Sequence, residues 1–231
     1  MKKIFGLTFC IVLFATALSY ADSLYVGGTY SSIASVVNGS VTTEGGGSVS
    51  GSSLDGKPLD YLYCVDLFTD VYVTTTYPLT IVNSTGDIYG ARVNNAEEVA
   101  WLLATYGTAG QGDRAKALQA AIWTVIEGSG RYHLDTDYYN VNNPAVSSLY
   151  TGMLTNLELA VDEGSFPNYV SRFLWISPGN DSNTKYQGLV TANPSPPLQG
   201  AGGPAPTPEP ATMLLFGVGL AGLAGMRLRK K

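Results

Sequence analysis

The sequence predicts an α+β domain, a β-sandwich- or barrel-like sheet core with an inserted three-helix block. Three observations predict it. Residues 24–37 and 59–82 are rich in aromatic and β-branched side chains, the composition of strands. Between 94 and 161 the apolar residues shift to helical spacing, with polar starts and glycine stops. The β pattern then returns at 169–176 and 186–191. Strands, helices and strands again, within one domain's length of chain, place the helices as an insertion in a sheet.

Residues 1–21 read as a signal helix that precedes the domain. Lys2 and Lys3 are a charged start, Ile4 to Leu18 an apolar stretch, and Ser19-Tyr20-Ala21 a small-x-small cleavage site. Export through the Sec translocon and cleavage by signal peptidase after Ala21 are expected. The exported domain then spans 22–192.

Within it, residues 24–37 supply one or two strands. The Gly/Ser/Thr-rich stretch 38–56 reads as a long loop or loose hairpin. Residues 59–82 are the strongest β segment. Along it Tyr61, Tyr63, Val65 and Leu67 share one face, and Leu62, Cys64, Asp66 and Phe68 the other. Both faces are largely apolar, so a central strand is expected.

The first helix starts at Asn94 or Asn95, carries Glu97 and Glu98 in its first turn, and stops at Gly107. The second is capped by Asp113 and stops at Gly128. The third opens at Asn143-Pro144, where proline suits the first helical position, and runs to about Val161. Residues 193–207 are a Pro/Gly-rich linker of semi-rigid character.

Residues 208–231 form the last segment. Pro208-Glu209-Pro210 precedes an apolar run of 16 residues, Ala211 to Met226, followed by Arg227, Arg229, Lys230 and Lys231. As a helix the run spans roughly 24 Å, short for a ~30 Å hydrocarbon core but enough for a transmembrane helix that anchors in transit. The basic cluster stays cytoplasmic by the positive-inside bias. The triplet, the span and the cluster together resemble a PEP-CTERM sorting signal. The resemblance implies processing by an exosortase, a Gram-negative, exopolysaccharide-producing source, brief residence in the inner membrane, and delivery to the cell surface or extracellular matrix.

Between Asp22 and Pro210, seven bases face 18 acids, a net charge of −11. An acidic domain without a basic patch argues against nucleic acid as a partner. The 15 tyrosines read as core and cross-strand residues.

The chain has two cysteines, and Cys10 lies in the signal segment. Cys64 is left without an intramolecular partner in a compartment that permits disulfides. Such a thiol is buried and inert, pairs between molecules, or does chemistry.

On the second helix Ala115, Leu118, Gln119, Ile122, Val125 and Ile126 fall on one buried face. Gln119 thus lies within the apolar stripe, and a buried amide needs hydrogen-bond partners at a cost of ~1–3 kcal/mol if it lacks them. From spacing alone, Gln119 bonds a nearby backbone group and fixes the helix. Its surroundings offer another reading. Tyr63-Cys64-Val65-Asp66 and Leu118-Gln119-Ala120-Ala121-Ile122-Trp123 resemble the two motifs of bacterial Cys-Gln thioester domains. The resemblance, which covers about Tyr61 to Gly128, implies a thioester between the Cys64 sulfur and the Gln119 side-chain carbonyl. Its partner would be an amine- or hydroxyl-bearing surface polymer. Asp66 and Glu127 are candidates for acids that assist the thiol, and Trp123 for a packing residue that shields it.

Other chemistries have weaker support. His133 is the sole histidine, so a His-rich zinc site is excluded, and a Cys64/His133 dyad is conceivable but weakened by the polar loop expected around His133. Asp135, Asp137, Asn140 and Asn142 depart from a Ca²⁺ loop, because Tyr139 and Asn140 stand where a ligand and glycine are needed. They read as a Tyr/Asn-rich turn. No phosphate-binding loop opens a helix. The expectation is a non-enzymatic surface protein without cofactor or metal, with a non-covalent matrix or exopolysaccharide-associated role as the alternative.

Overall fold

The first strand begins at Asp22, directly after the expected cleavage site. The computed structural model describes residues 22–194 apart from 165, 167, 168 and 182. All belong to the first of two compact units of the chain, Met1–Pro196. The signal segment, most of the linker and the whole sorting tail lie outside the described residues, including Pro208, Glu209, Pro210 and the terminal basic cluster. Among the described residues no helix is long and apolar enough to cross a membrane.

In chain order the strands before the helices are Asp22–Val26 (β1), Thr29–Val37 (β2), Ser40–Ser50 (β3), Ser53–Leu54 (β4), Lys57–Pro58 (β5), Tyr63–Cys64 (β6), Thr75–Asn83 (β7), Asp87–Ile88 (β8) and Ala91–Arg92 (β9). Helices Ala96–Tyr106 (α1) and Asp113–Glu127 (α2) follow, then strand Tyr132–Leu134 (β10). Helices Thr136–Asn142 (α3) and Pro144–Asp162 (α4), a single 3-10 turn and strands Phe173–Ser177 (β11) and Leu189–Ala192 (β12) complete the domain.

The fold is mixed α and β, as the sequence predicts. A curled seven-stranded sheet has the order β5-β4-β1-β7-β11-β12-β6, and a three-stranded sheet the order β10-β2-β3. Every pairing is antiparallel.

Of the two expectations for residues 38–56, a long loop or a loose hairpin, the structure has a hairpin over 38–50. Asn38 and Gly39 have φ of 50° and 79°, the two positive values of a two-residue hairpin turn, and β3 pairs with β2 from Ser40↔Val37 to Ser50↔Thr29. The glycines serve close approach rather than slack. A Cβ on Gly46 would stand 2.8 Å from Gln119 Cγ, 2.8 Å from Trp123 Cη2 and 3.1 Å from Ile33 Cδ1. A Cβ on Gly45 would meet the Tyr30 ring at 2.9 Å.

The segment 59–82 is not one central strand. Only β6 and β7 are extended, and β6 is the two-residue edge of the large sheet. The chain leaves β6 because the Asp66 carboxylate accepts from Phe68 N at 3.0 Å and from the Thr69 hydroxyl. Such a local side-chain turn competes with the sheet ladder.

The helical block holds four α-helices rather than three. α3 occupies the expected Tyr/Asn-rich turn because Asp135 Oδ1 accepts from Tyr138 N at 2.9 Å, an N-terminal cap. His133 lies in β10, not in a loop, paired with Val36. Asp113 is the first residue of α2 rather than its cap, which is Gly112. Asn95 precedes α1 but makes no side-chain cap bond to it. Its Nδ2 donates to Val125 O at 2.8 Å and ties α1 to the end of α2.

α2 is the centre of the fold. From Ala117 to Ile126 every residue is buried, because α1 and α4 cover one side and β2, β3 and β10 the other. Ala117, Ala120 and Ala121, outside the expected stripe, are small enough to let the neighbouring helices approach.

Candidate functional site

Cys64 and Gln119 meet where the edge of the large sheet faces α2. The residues flanking β6 bond on two sides: Leu62 O accepts from Val49 N at 2.8 Å, and Val65 N donates to Gly188 O at 2.8 Å. The main chain of Cys64 is completed by a side chain. Cys64 N donates to Gln119 Oε1 at 2.9 Å, and Gln119 Nε2 donates to Cys64 O at 2.8 Å. The amide thus occupies the place of a neighbouring strand, with donor and acceptor both matched. Full burial of Gln119 is sustainable for this reason.

Gly46 makes room for the arrangement, since any larger residue there would collide with the Gln119 stem and the Trp123 ring. Trp123 is buried and packs edge-on against Tyr132, with ring centroids 5.5 Å apart. Among the described residues its buried Nε1 has no hydrogen-bond partner.

The thiol is not activated by its surroundings. Burial, and secondarily the Asp66 charge, push Cys64 up from 9.0 to about 12, the reverse of a reactive thiol's environment. Both candidate acids have other partners. Asp66 holds the turn at Phe68 and Thr69. Glu127 pairs with Arg131 at 2.9 Å, and burial is the largest cause of its raised pKa.

Cys64 is 3 % exposed, yet it lines a cleft of about 380 Å³ whose walls include Tyr30, Glu44, Asp70, Tyr72 and Trp123. The cleft has no counterpart in any local motif, because its residues come from β2, β3, the 65–74 turn and α2. The closest signal is the Gly45-Gly46-Gly47 run, whose glycines bring these elements together.

His133 Nδ1 lies 3.0 Å from Leu134 O, a contact within its own strand. Among the described residues no group of three or more His, Cys, Asp or Glu could hold a metal ion. Asp135 is committed to capping α3.

The address is decided at the other end of the chain. The family model described as the PEP-CTERM protein-sorting motif matches residues 206–230. This chain carries a PEP-CTERM sorting signal. The match contains Pro208, Glu209, Pro210, Arg227, Arg229 and Lys230, with Lys231 directly after it. The PEP-CTERM motif implies processing by exosortase and an exported protein with a membrane-anchored C-terminal sorting signal. No curated protein and no solved structure gives a significant match to the chain.

Proposed function

We propose that this PEP-CTERM protein is a surface or extracellular-matrix protein that attaches covalently, once per molecule, through a thioester between Cys64 and Gln119. The carrying observation is the buried pairing of the Gln119 amide with the main chain of the one cysteine outside the signal segment. In the proposed reaction the Cys64 sulfur attacks Gln119 Cδ, the C–N bond breaks, and the thiol proton leaves with the amide nitrogen as ammonia. The Cys64 N–H already donates to Oε1, where negative charge develops as the sulfur adds, so it acts as an oxyanion donor. Burial then protects the thioester from water, and the cleft that reaches Cys64 admits the target. Attack by an amine leaves Gln119 joined to it by an amide and restores the thiol. The same attack by a hydroxyl leaves an ester. The reaction is stoichiometric, so the protein is not an enzyme.

A second reading is a non-covalent matrix protein in which Gln119 is a structural clamp. The satisfied amide and the raised thiol pKa favour it. Intact mass of the exported protein separates the two. The thioester predicts a deficit of one ammonia, no titratable thiol, and addition of methylamine across the bond. Full mass with a thiol that titrates after unfolding removes the covalent reading. Deletion of residues 208–231 tests the address separately: processing and location should change, and unchanged processing would count against sorting by the tail.

A further inference from the structure

The cleft above Cys64 has a chemistry of its own. Its lining includes two carboxylates, Glu44 and Asp70, and no lysine or arginine. Among the described residues neither carboxylate forms an ion pair. Concave walls of one sign concentrate the field and attract counter-charge, and the exported portion's net charge of −11 acts in the same direction. Tyr30 and Tyr72, 52 % and 62 % exposed, add aromatic surface. Rings beside carboxylates favour an organic ammonium over a bare metal ion, through the attraction of a cation to a ring face.

Two further features narrow the ligand. Trp123 lines the cleft and adds a third aromatic side chain to its wall. Ser32 and Thr43 add hydroxyls that can donate or accept. A ligand with a cation, an apolar ring face and several oxygens fits this set, whereas a lysine side chain has the cation alone. The volume, about 380 Å³, lies toward the small end of ligand clefts, with room on the order of one or two sugar rings.

We propose that this cleft binds an amino sugar with a free amine, as a unit of a polysaccharide. Its ammonium lies against Glu44 and Asp70, and its ring against Tyr30 and Tyr72. Binding does not require the thioester, so the test uses the full exported chain carrying Cys64→Ala. Calorimetric titration with a glucosamine tetramer should show saturable binding. The N-acetylglucosamine tetramer should bind at least about tenfold more weakly, because it lacks the charge. Glu44→Gln with Asp70→Asn should weaken glucosamine binding about tenfold without changing thermal unfolding, and Tyr72→Ala should weaken it independently. Absence of binding, equal binding of the acetylated tetramer, indifference to these substitutions, or equal binding of a lysine tetramer would each overturn the assignment.

Discussion

Gln119 completes Cys64 as a neighbouring strand would, donating to its carbonyl at 2.8 Å and accepting from its N–H at 2.9 Å. The partner is the main chain, so the pairing is independent of the thiol. Cys64→Ala should therefore keep the clamp. Gln119→Ala removes both bonds, leaves two buried backbone groups unmatched, and empties part of the core beside Gly46. In the Cys64→Ala background its expected cost is about 2–5 kcal/mol, read from denaturant unfolding. A cost below about 1 kcal/mol in that background would remove the clamp.

The glycines of β1–β3 should tolerate alanine unequally. At Gly46 an added methyl meets side-chain atoms of Gln119, Trp123 and Ile33 at 2.8–3.1 Å, which can yield only by repacking. A loss of about 1–3 kcal/mol is expected, with a shift in Trp123 fluorescence. At Gly27 the methyl would stand 1.8 Å from Ser50 O, a backbone atom that cannot rotate away. Gly27→Ala should cost more than Gly46→Ala and reduce the yield of folded protein. Equal unfolding midpoints would contradict this ranking.

These residues also show what the sequence could and could not reveal. Helical spacing located α1, α2 and α4 closely, with terminal glycines for α1 and α2 and Pro144 for α4, because those signals are local. Gln119 stood out for the same reason: a polar residue on an apolar face must find partners, and backbone partners were the expectation from spacing. The strand register was not legible. Composition leaves residues 40–50 between a long loop and a loose hairpin, and only the contacts of Tyr30, Gln119 and Trp123 reveal why glycine is needed there. Apolar faces made 59–82 look like a central strand, but Asp66 turned the chain through a side-chain bond that alternation does not encode. The cleft was hidden because its residues come together only in the tertiary fold.

Stability should fall on the alkaline side. Burial pushes Cys64 up from 9.0 to about 12 and Tyr61 from 10.0 to about 12, and it raises Tyr63 and Tyr132 as well. A raised pKa means that the fold prefers the protonated form. The contribution of these groups is therefore complete below about pH 9 and declines as the pH rises toward 12. Unfolding free energy followed by circular dichroism should be flat with respect to these groups up to about pH 9, then drop. A protein with the thioester lacks the cysteine share, so its decline should begin nearer pH 10, with the tyrosines. Constant stability from pH 9 to 11.5 would refute the burial of these protonated groups.

Asp66 offers the sharpest test of thiol chemistry, because two roles predict opposite signs. Its negative charge is the second cause, after burial, of the raised Cys64 pKa. If that electrostatic role governs, Asp66→Asn lowers the thiol pKa and makes Cys64 more reactive. Asparagine retains a side-chain oxygen for the bond from Phe68 N, so the turn should survive. The measurement is the alkylation rate of Cys64 in folded, thioester-free protein (Gln119→Glu if the wild type is closed) at pH 8–9. A several-fold increase is expected over the Asp66 parent in the same background. A decrease would mean that Asp66 assists deprotonation, returning it to the role of general base. Glu127→Gln is the matched control: its carboxylate is held by Arg131 and is not among the causes of the thiol's shift, so the rate should not change.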